Sequence, residues 1–266
     1  MSTSVIMPAL FVGHGSPMNA IEDNTWTRAM LAWGKRLPKP KAILCISAHW
    51  LTEGTFITAA AKPRMIYDMY GFPPELYQVQ YPAPGDPILA KKIRDQFPFI
   101  QLDNNNDQDT WGLDHGAWSV LKFLFPAADV PVLQLSIDVT QNASFHFELG
   151  QKIAVLRQQG VMLVGSGNIV HNLRAISMSP DEKPFAWAEE FDQWFKKNLE
   201  ENTIEPLLHD YNRTDNGRKS VPTPDHYYPA LYIAGARLPE DQLQFDYEAM
   251  QHGSLAMRSF SFSAPN

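Results

Sequence analysis

The sequence predicts an α/β protein: a single domain with a central, mostly parallel mixed sheet flanked by helices. Three apolar runs without polar alternation, residues 9–12, 42–47 and 161–165, indicate strands that are buried on both faces. Segments with helical spacing of apolar residues lie between these runs, which is the pattern of βαβ units. The 266 residues contain no internal repeat and no obvious linker, so we predict one domain spanning residues 1–266.

The other elements follow from apolar periodicity and from turn residues. Helices are predicted over residues 25–35, 88–97, 117–125, 144–158, 185–198 and 230–236. Further strands are predicted over residues 56–60 and 130–137, and two more, 245–250 and 255–262, around the pair His252-Gly253. A stretch rich in proline and aromatic residues, 62–86, fits either a surface wrap held by aromatic packing or a pocket wall, since long loops are often functional.

Composition limits the classes of partner. The net charge is −7 and there is no dense basic run, so we expect no nucleic-acid partner and no membrane partner. The only cysteine, Cys45, lies in a predicted buried strand and cannot form an internal disulfide bond. Together with the absence of a leader-like N-terminus and of an apolar run of spanning length, this predicts a cytoplasmic protein, a monomer or a small homo-oligomer.

Histidines recur where predicted strands end. His14 follows the first run between two glycines, His49 follows the second run, and His171 follows the third. His226 lies in another constrained segment, rich in proline and tyrosine, before an apolar helix. Loops at the carboxyl ends of parallel strands meet at one edge of a sheet, and neutral imidazole is the commonest metal ligand in proteins. Each histidine alone suits a structural or surface role, but the repeated context predicts a metal site at the strand ends.

The remaining histidines are less informative. His115 precedes a predicted helix, and its neighbour Asp114 could either orient the imidazole or cap the helix. His146 and His209 lie in helical stretches and are predicted to be packing or surface residues, and His252 is predicted to be a turn residue. The sequence contains no His-Glu-x-x-His, no Cys-x-x-Cys and no Gly-x-Ser-x-Gly motif, and Ser166 has no base partner fixed by sequence.

Five motifs together resemble a known family, the class III extradiol ring-cleavage dioxygenases, and most of all its branch called 4,5-DOPA dioxygenase extradiol. The motifs are Gly13-His14-Gly15-Ser16-Pro17, Ser47-Ala48-His49-Trp50, Gly112-Leu113-Asp114-His115-Gly116-Ala117-Trp118, Gly165-Ser166-Gly167-Asn168-Ile169-Val170-His171-Asn172 and Thr223-Pro224-Asp225-His226-Tyr227-Tyr228-Pro229. They occur in the family's order and extend over residues 10–236. The combination is specific, although each motif alone is not.

The resemblance implies a catalytic role for the histidines. His14 and His49 correspond to metal ligands, and His226 lies where this branch supplies a further ligand. His171 corresponds to the acid/base histidine and could also bind the metal, while His115 corresponds to a second active-site histidine that contacts substrate. The implied reaction opens a catechol, L-DOPA or a similar compound, with O2 at a mononuclear non-haem metal to give a muconic semialdehyde.

The identity of the metal stays open at this stage. The resemblance leads us to expect one divalent metal ion per chain, with Fe(II) for ring cleavage. Non-haem Fe(II) oxygenases typically use two histidines and one carboxylate, whereas an all-histidine set also suits Zn(II). A zinc-dependent hydrolase using the same histidines is therefore an alternative, and a structural four-histidine site is a third. Arg174, close to His171, fits either a partner for a substrate carboxylate or a structural ion pair.

Overall fold

The structure is a computed structural model that describes residues 5–103 and 110–265. Its strands, in chain order, are β1 Ala9–Gly13, β2 Ala42–Ser47, β3 Leu51–Thr52, β4 Thr55–Thr58, β5 Ile100–Asp103, β6 Val132–Gln134, β7 Ile137–Asp138, β8 Val161–Gly167, β9 Gln242–Tyr247, β10 Met250–Gln251, β11 Leu255–Ala256 and β12 Ser259–Ser263. Its helices are α1 Thr25–Gly34, α2 Pro87–Gln96, α3 His115–Leu124, α4 Ala143–Ile153, α5 Ala186–Glu200, α6 Ile204–His209, α7 Asp215–Ser220 and α8 Tyr228–Gly235.

Within these ranges the central sheet has six strands in the order β6-β2-β8-β1-β12-β9. The first four strands of that order are mutually parallel, and β12 runs antiparallel to both of its neighbours. Every residue of β1, β2 and β8 is buried, as the unbroken apolar runs predicted. The predicted α/β class with a mostly parallel mixed sheet is confirmed.

Alternate residues of the parallel strands face two separate apolar layers. Phe11 and Leu163 pack on the side of α4, α5 and α8, whereas Leu10 and Val164 pack on the side of α1 and α3. Each fully buried side chain of this kind contributes about 1.5–3 kcal/mol of burial free energy. Two-sided burial therefore explains why these strands lack polar alternation. Among the helices of the described ranges, none combines the length and apolar character that a bilayer-spanning segment requires.

One helix and one strand differ from the predictions in where they end. The helix predicted over 144–158 ends at Ile153 and continues as a 3-10 helix over Ala154–Gln159, which Gly160 ends with a φ of +91°. The strand predicted over 130–137 divides into β6, which joins the central sheet, and β7, which pairs with β3 instead. The chain bends between them, where Ser136 donates its backbone N–H to the Phe56 carbonyl.

The C-terminal strands also differ from the predictions, in their number and positions. The two predicted strands become four, β9 to β12, and β10 pairs with β11 as a two-stranded hairpin. His252 and Gly253 both have positive φ, at +53° and +75°, between these two strands. His252 is therefore a turn residue, as predicted, and its Nδ1 lies 2.8 Å from the Ser177 carbonyl oxygen.

Candidate metal and catalytic site

The carboxyl ends of β1, β2 and β8 bring His14 and His49 together. The backbone N–H of His14 donates to the Gly167 carbonyl at 3.1 Å, so pairing with β8 continues past the end of β1. Gly13 is required here because a Cβ atom would lie 2.7 Å from the backbone carbon of Met257. The Nε2 atoms of His14 and His49 are 3.3 Å apart.

The 3.3 Å separation matches the edge of a tetrahedral site. Two nitrogens bound to one ion at the usual Zn–N distance of about 2.0–2.1 Å lie about 3.3–3.4 Å apart. Ser166 fixes the tautomer of His14: its hydroxyl donates to the Gly116 carbonyl at 2.6 Å, and its oxygen lies 2.9 Å from His14 Nδ1. Because that oxygen accepts the Nδ1 proton, the Nε2 lone pair of His14 is left free for a cation.

Asp68 lies between the imidazoles of His49 and His115. Its Oδ2 is 3.2 Å from His49 Nδ1 and 2.9 Å from His115 Nδ1, and its Oδ1 accepts the His115 backbone N–H at 2.9 Å. Burial raises the pKa of Asp68, but the hydrogen bonds and charge of His115 outweigh it and hold the pKa below its usual value. The Pro-rich stretch 62–86 therefore contributes a carboxylate to the site.

Asp114 caps α3 and does not orient the ring of His115. Its carboxylate accepts the Ala117 backbone N–H at 3.1 Å, the Ser47 hydroxyl at 2.6 Å and the Trp111 indole N–H at 3.0 Å. Of the two roles that the sequence left open, the structure therefore gives Asp114 the capping role. Asp68 orients His115 instead.

His226 enters the same cluster from the segment before α8. Its Nδ1 is hydrogen-bonded to Asp225, and its Nε2 is buried with no hydrogen-bond partner among the described residues. The ring centroid of His226 lies 5.2 Å from that of His14 and 5.0 Å from that of His49. Burial raises the pKa of Asp225, but the bond and charge of His226 lower it well below its usual range. Asp225 is thus an ionised partner that orients the His226 ring.

His171 lies against His226, with ring centroids 3.5 Å apart and ring planes 5° from parallel. Burial lowers the pKa values of His14, His49 and His171, and the neighbouring imidazoles lower them further. These rings are therefore neutral at physiological pH, which is the protonation state that metal binding and proton acceptance both require.

The five histidines that the sequence singled out lie in one cluster, but in two groups. Ligand atoms of His14, His49 and His115 lie within 4.8 Å of one another, as do those of His171, Asp225 and His226. The four predicted metal ligands are thus divided: His14 and His49 belong to the first group, and His171 and His226 belong to the second. His115, which was expected to contact substrate, belongs to the first group. His146 is fully buried elsewhere, where α4 packs on α8, as a packing residue, and His209 lies on the surface with Nε2 3.3 Å from a carboxylate oxygen of Glu205.

Three further residues bear on the predictions. Arg174 is exposed and forms no ion pair in the part of the chain that the structure describes, so the structural-pairing alternative is not supported. Asp68 and Ser166 were not predicted as site residues. Ser166 could have been found from its position between two glycines at the end of a buried strand. No signal in the sequence around Asp68 separates it from the other acidic residues of surface loops.

Comparisons with known proteins place the cluster in context. The family described as the catalytic LigB subunit of aromatic ring-opening dioxygenase matches residues 8–256. A 4,5-DOPA dioxygenase extradiol of Escherichia coli K12 is 46% identical over 97% of this chain and 95% of its own length. One from Beta vulgaris is 34% identical over 97% of both chains. A crystal structure of an uncharacterized protein from Escherichia coli K12 matches with a TM-score of 0.82 and 43% identity, covering 96% of this chain and 99% of that one.

Proposed function

Because the chain belongs to the family of the catalytic LigB subunit of aromatic ring-opening dioxygenase, as an extradiol dioxygenase of the DOPA dioxygenase branch, we propose that its substrate is L-DOPA or a closely similar catechol. The product is the corresponding muconic semialdehyde. One observation supports the site of this reaction most strongly: ligand atoms of His14, His49 and His115 lie within 4.8 Å of one another at the carboxyl ends of the parallel strands. We also propose that residues 1–266 form one catalytic domain, which the pairing of β1 with β12 supports.

His14, His49 and His226 would hold one divalent metal ion. The donor set fits such an ion, because the Nε2 atoms of His14 and His49 have the spacing of a tetrahedral edge, and Nε2 of His226 is buried with no hydrogen-bond partner among residues 5–103 and 110–265. Asp225 and Ser166 keep the protons of two of these ligands on Nδ1. A bound Fe(II) would act as a Lewis acid towards the catechol oxygens and would relay electrons to O2. Zn(II) could supply the Lewis acid but not the electron relay, because it has no accessible redox change.

The stacking of His171 on His226 supports different roles for the two rings. The lone pair of an imidazole nitrogen lies in the ring plane, and these two planes are 5° from parallel with centroids 3.5 Å apart. Two such planes do not meet at one ion, so in this arrangement only one of the two rings can be a well-oriented ligand. His226 is assigned that role because its Nε2 is the more enclosed, with no hydrogen-bond partner among the described residues.

His171 is then free to move protons. It is neutral because burial lowers its pKa, so its ring can accept a proton from a catechol hydroxyl. The negative charge of Asp225 opposes that lowering and favours the imidazolium once it forms. His171 can return the proton to an oxygen of the opening ring. His115, whose Nδ1 is bonded to Asp68, presents Nε2 as a second acceptor near the substrate.

The proposal is tested by reconstituting the metal-free protein with Fe(II) anaerobically and then adding L-DOPA and air. We expect a yellow semialdehyde to accumulate with Fe(II) only, and to be lost in His171→Ala. His209→Ala is the matched control because His209 lies on the surface, outside the cluster. Absence of product with Fe(II), combined with tight one-to-one retention of Zn(II), contradicts the proposal and favours the zinc-dependent hydrolase.

The ligand assignment has a competing geometry, because His115 lies within 4.8 Å of the ligand atoms of His14 and His49. The metal affinities of single variants distinguish His226 from His115 as the third ligand. We expect His226→Ala to lose the metal and His115→Ala to retain it with reduced turnover. The reverse result assigns the third ligand to His115.

A further inference from the structure

We infer that Asp68 is a positioning residue that holds His49 and His115 in one tautomer and so joins a metal ligand to a substrate-facing histidine. The inference rests on the proposed function for the roles of those two histidines. Asp68 is not one of the residues expected to bind the metal. It lies in the Pro-rich stretch 62–86.

The contacts of Asp68 use both carboxylate oxygens. Oδ2 faces two imidazole Nδ1 atoms, at 3.2 Å for His49 and 2.9 Å for His115. Oδ1 accepts the backbone N–H of His115, which is the first residue of α3 and has no helical acceptor. The side chain is 16% exposed, so little water competes for these bonds.

The chemistry of a carboxylate determines which tautomer results. An ionised carboxylate only accepts hydrogen bonds, so Nδ1 of His115 is a donor, and a carboxylate oxygen 3.2 Å from Nδ1 of His49 favours a proton on that atom too. In the neutral form of each ring, the single N–H is therefore on Nδ1, and Nε2 carries the lone pair. Because one oxygen is hydrogen-bonded to the His115 ring and lies 3.2 Å from Nδ1 of His49, a change at Asp68 alters the surroundings of the metal ligand and of the substrate-facing histidine together. In contrast, Ser166 is hydrogen-bonded to the ring of His14, and Asp225 is hydrogen-bonded to the ring of His226.

The stretch that carries Asp68 is built onto the N-terminal end of α3. Ile66 donates its backbone N–H to the Leu113 carbonyl at 2.8 Å, and Leu113 donates its own to Arg64 at 2.8 Å. The Trp118 indole N–H donates to the Ile66 carbonyl at 2.9 Å. These bonds attach the backbone just before Asp68 to the helix that carries His115. Of the two roles that the sequence left open for 62–86, they support a wall of the site.

Asp68→Asn tests the inference with little change in shape. An amide has one oxygen, so either the His115 backbone N–H or the pair of imidazoles loses its acceptor. We expect 10–100-fold weaker Co(II) binding, measured by competition with a chelating dye, as is typical when an outer partner of a metal-ligating histidine is lost. We also expect an altered visible spectrum of the bound Co(II) and a lower kcat with Fe(II), with a smaller change in KM.

The matched control is Asp86→Asn, at the far end of the same stretch. Asp86 caps α2 by accepting the Leu89 N–H at 2.9 Å, and asparagine caps a helix equally well. We expect its Co(II) affinity, Co(II) spectrum and turnover to match those of the unchanged protein. If Asp68→Asn also has the Co(II) affinity, Co(II) spectrum and turnover of the unchanged protein, the inference is overturned, whatever the thermal stability of the variant.

A measurement on the unchanged protein covers the case in which Asp68→Asn does not fold. Nitrogen-15 NMR of histidine-labelled, metal-free protein distinguishes Nδ1–H from Nε2–H rings, and we expect Nδ1–H for His49 and His115. An Nε2–H form of either ring overturns the inference. The proposed function can fail separately: if Fe(II) protein does not cleave L-DOPA while Asp68→Asn still weakens Co(II) binding, the role of Asp68 stands and the reaction assignment falls.

Discussion

Two buried histidines, His226 and His146, have the same hydrogen-bond pattern in different surroundings. Each has Nδ1 bonded to a side-chain oxygen and a buried Nε2 with no partner among the described residues. The partner of His226 is the carboxylate of Asp225, and the partner of His146 is the hydroxyl of Tyr232, at 3.0 Å. A free buried Nε2 is therefore not enough to indicate a metal site.

The neighbours of the two rings make the difference. The ring centroid of His226 lies within about 5 Å of those of three other imidazoles, whereas the closest rings to His146 are phenol rings, Tyr228 at 4.2 Å and Tyr232 at 5.3 Å. An ion needs several converging donors, and a carboxylate behind a ligand increases its basicity. His146 has neither feature, so it is a neutral packing residue. Burial lowers its pKa to about 4.

The largest expected effect is the loss of the metal from His226→Ala. Removing a ligand should weaken Co(II) or Zn(II) binding by more than the 10–100-fold that is typical for loss of an outer partner. His146→Gln should bind the metal as the unchanged protein does. Chelator competition measures both affinities, and circular dichroism confirms that both variants fold. Equal metal affinity in the two variants contradicts the distinction between the two histidines.

The second effect is a pH dependence of stability that comes from His146. Its pKa is about 4 in the folded protein and about 6.5 when unfolded, so below pH 6.5 the unfolded state binds a proton that the folded state does not. His146 makes its full contribution to the free energy of unfolding above pH 6.5. This contribution falls as the pH drops towards 4, by roughly 3 kcal/mol in total. Urea unfolding of metal-free protein at pH 7.5 and 4.5 should show a smaller loss for His146→Gln. Equal losses would contradict the assignment.

A smaller effect is expected for Ser166→Ala. Loss of the hydroxyl removes the acceptor of the His14 Nδ1 proton, so metal affinity should fall about 10–100-fold. Ser220→Ala is the control, since the Ser220 hydroxyl is buried with no partner in the described part of the chain. Its removal should leave metal affinity unchanged. If both variants bind Zn(II) as tightly as the unchanged protein, Ser166 does not fix the tautomer of His14.

The smallest effect is expected for Tyr232→Phe. The change removes the hydroxyl bonded to His146 Nδ1, and the loss of a neutral buried hydrogen bond should cost about 1–3 kcal/mol in the free energy of unfolding. Metal affinity should not change, because no ligand or ligand partner is altered. Urea unfolding at pH 7.5 measures the cost. A loss of metal binding without a loss of stability would show that the two regions are coupled.

Local features made much of this architecture predictable. The strands that end near His14, His49 and His171 are buried on both faces, so their sequences are unbroken apolar runs. The turn at His252 and the helix cap at Asp114 depend on residues only a few positions away. The end of α4 was wrong because the chain continues past Ile153 as a 3-10 helix, a change of helix type that the spacing of apolar residues does not reveal.

The partners of the histidines were not predictable because they are distant in sequence. Asp68 is 47 residues from His115, and Ser166 is 152 residues from His14. Nothing local around Asp68 distinguishes a hydrogen bond to an imidazole from exposure to solvent, whereas the place of Ser166 at the end of a buried strand predicts its burial but not its partner. Asp225 is the sequence neighbour of His226, but its bond to Nδ1 depends on how the segment before α8 folds against β8.

The most direct test of the proposed reaction is the fate of the two atoms of O2. Fe(II)-loaded protein is given L-DOPA under ¹⁸O2, and the product is reduced with borohydride as it forms, so that the aldehyde oxygen cannot exchange with water. Mass spectrometry should then show two ¹⁸O atoms in the ring-opened product, and no product from His171→Ala. A product with one ¹⁸O atom, or with none, would contradict extradiol cleavage at this histidine cluster.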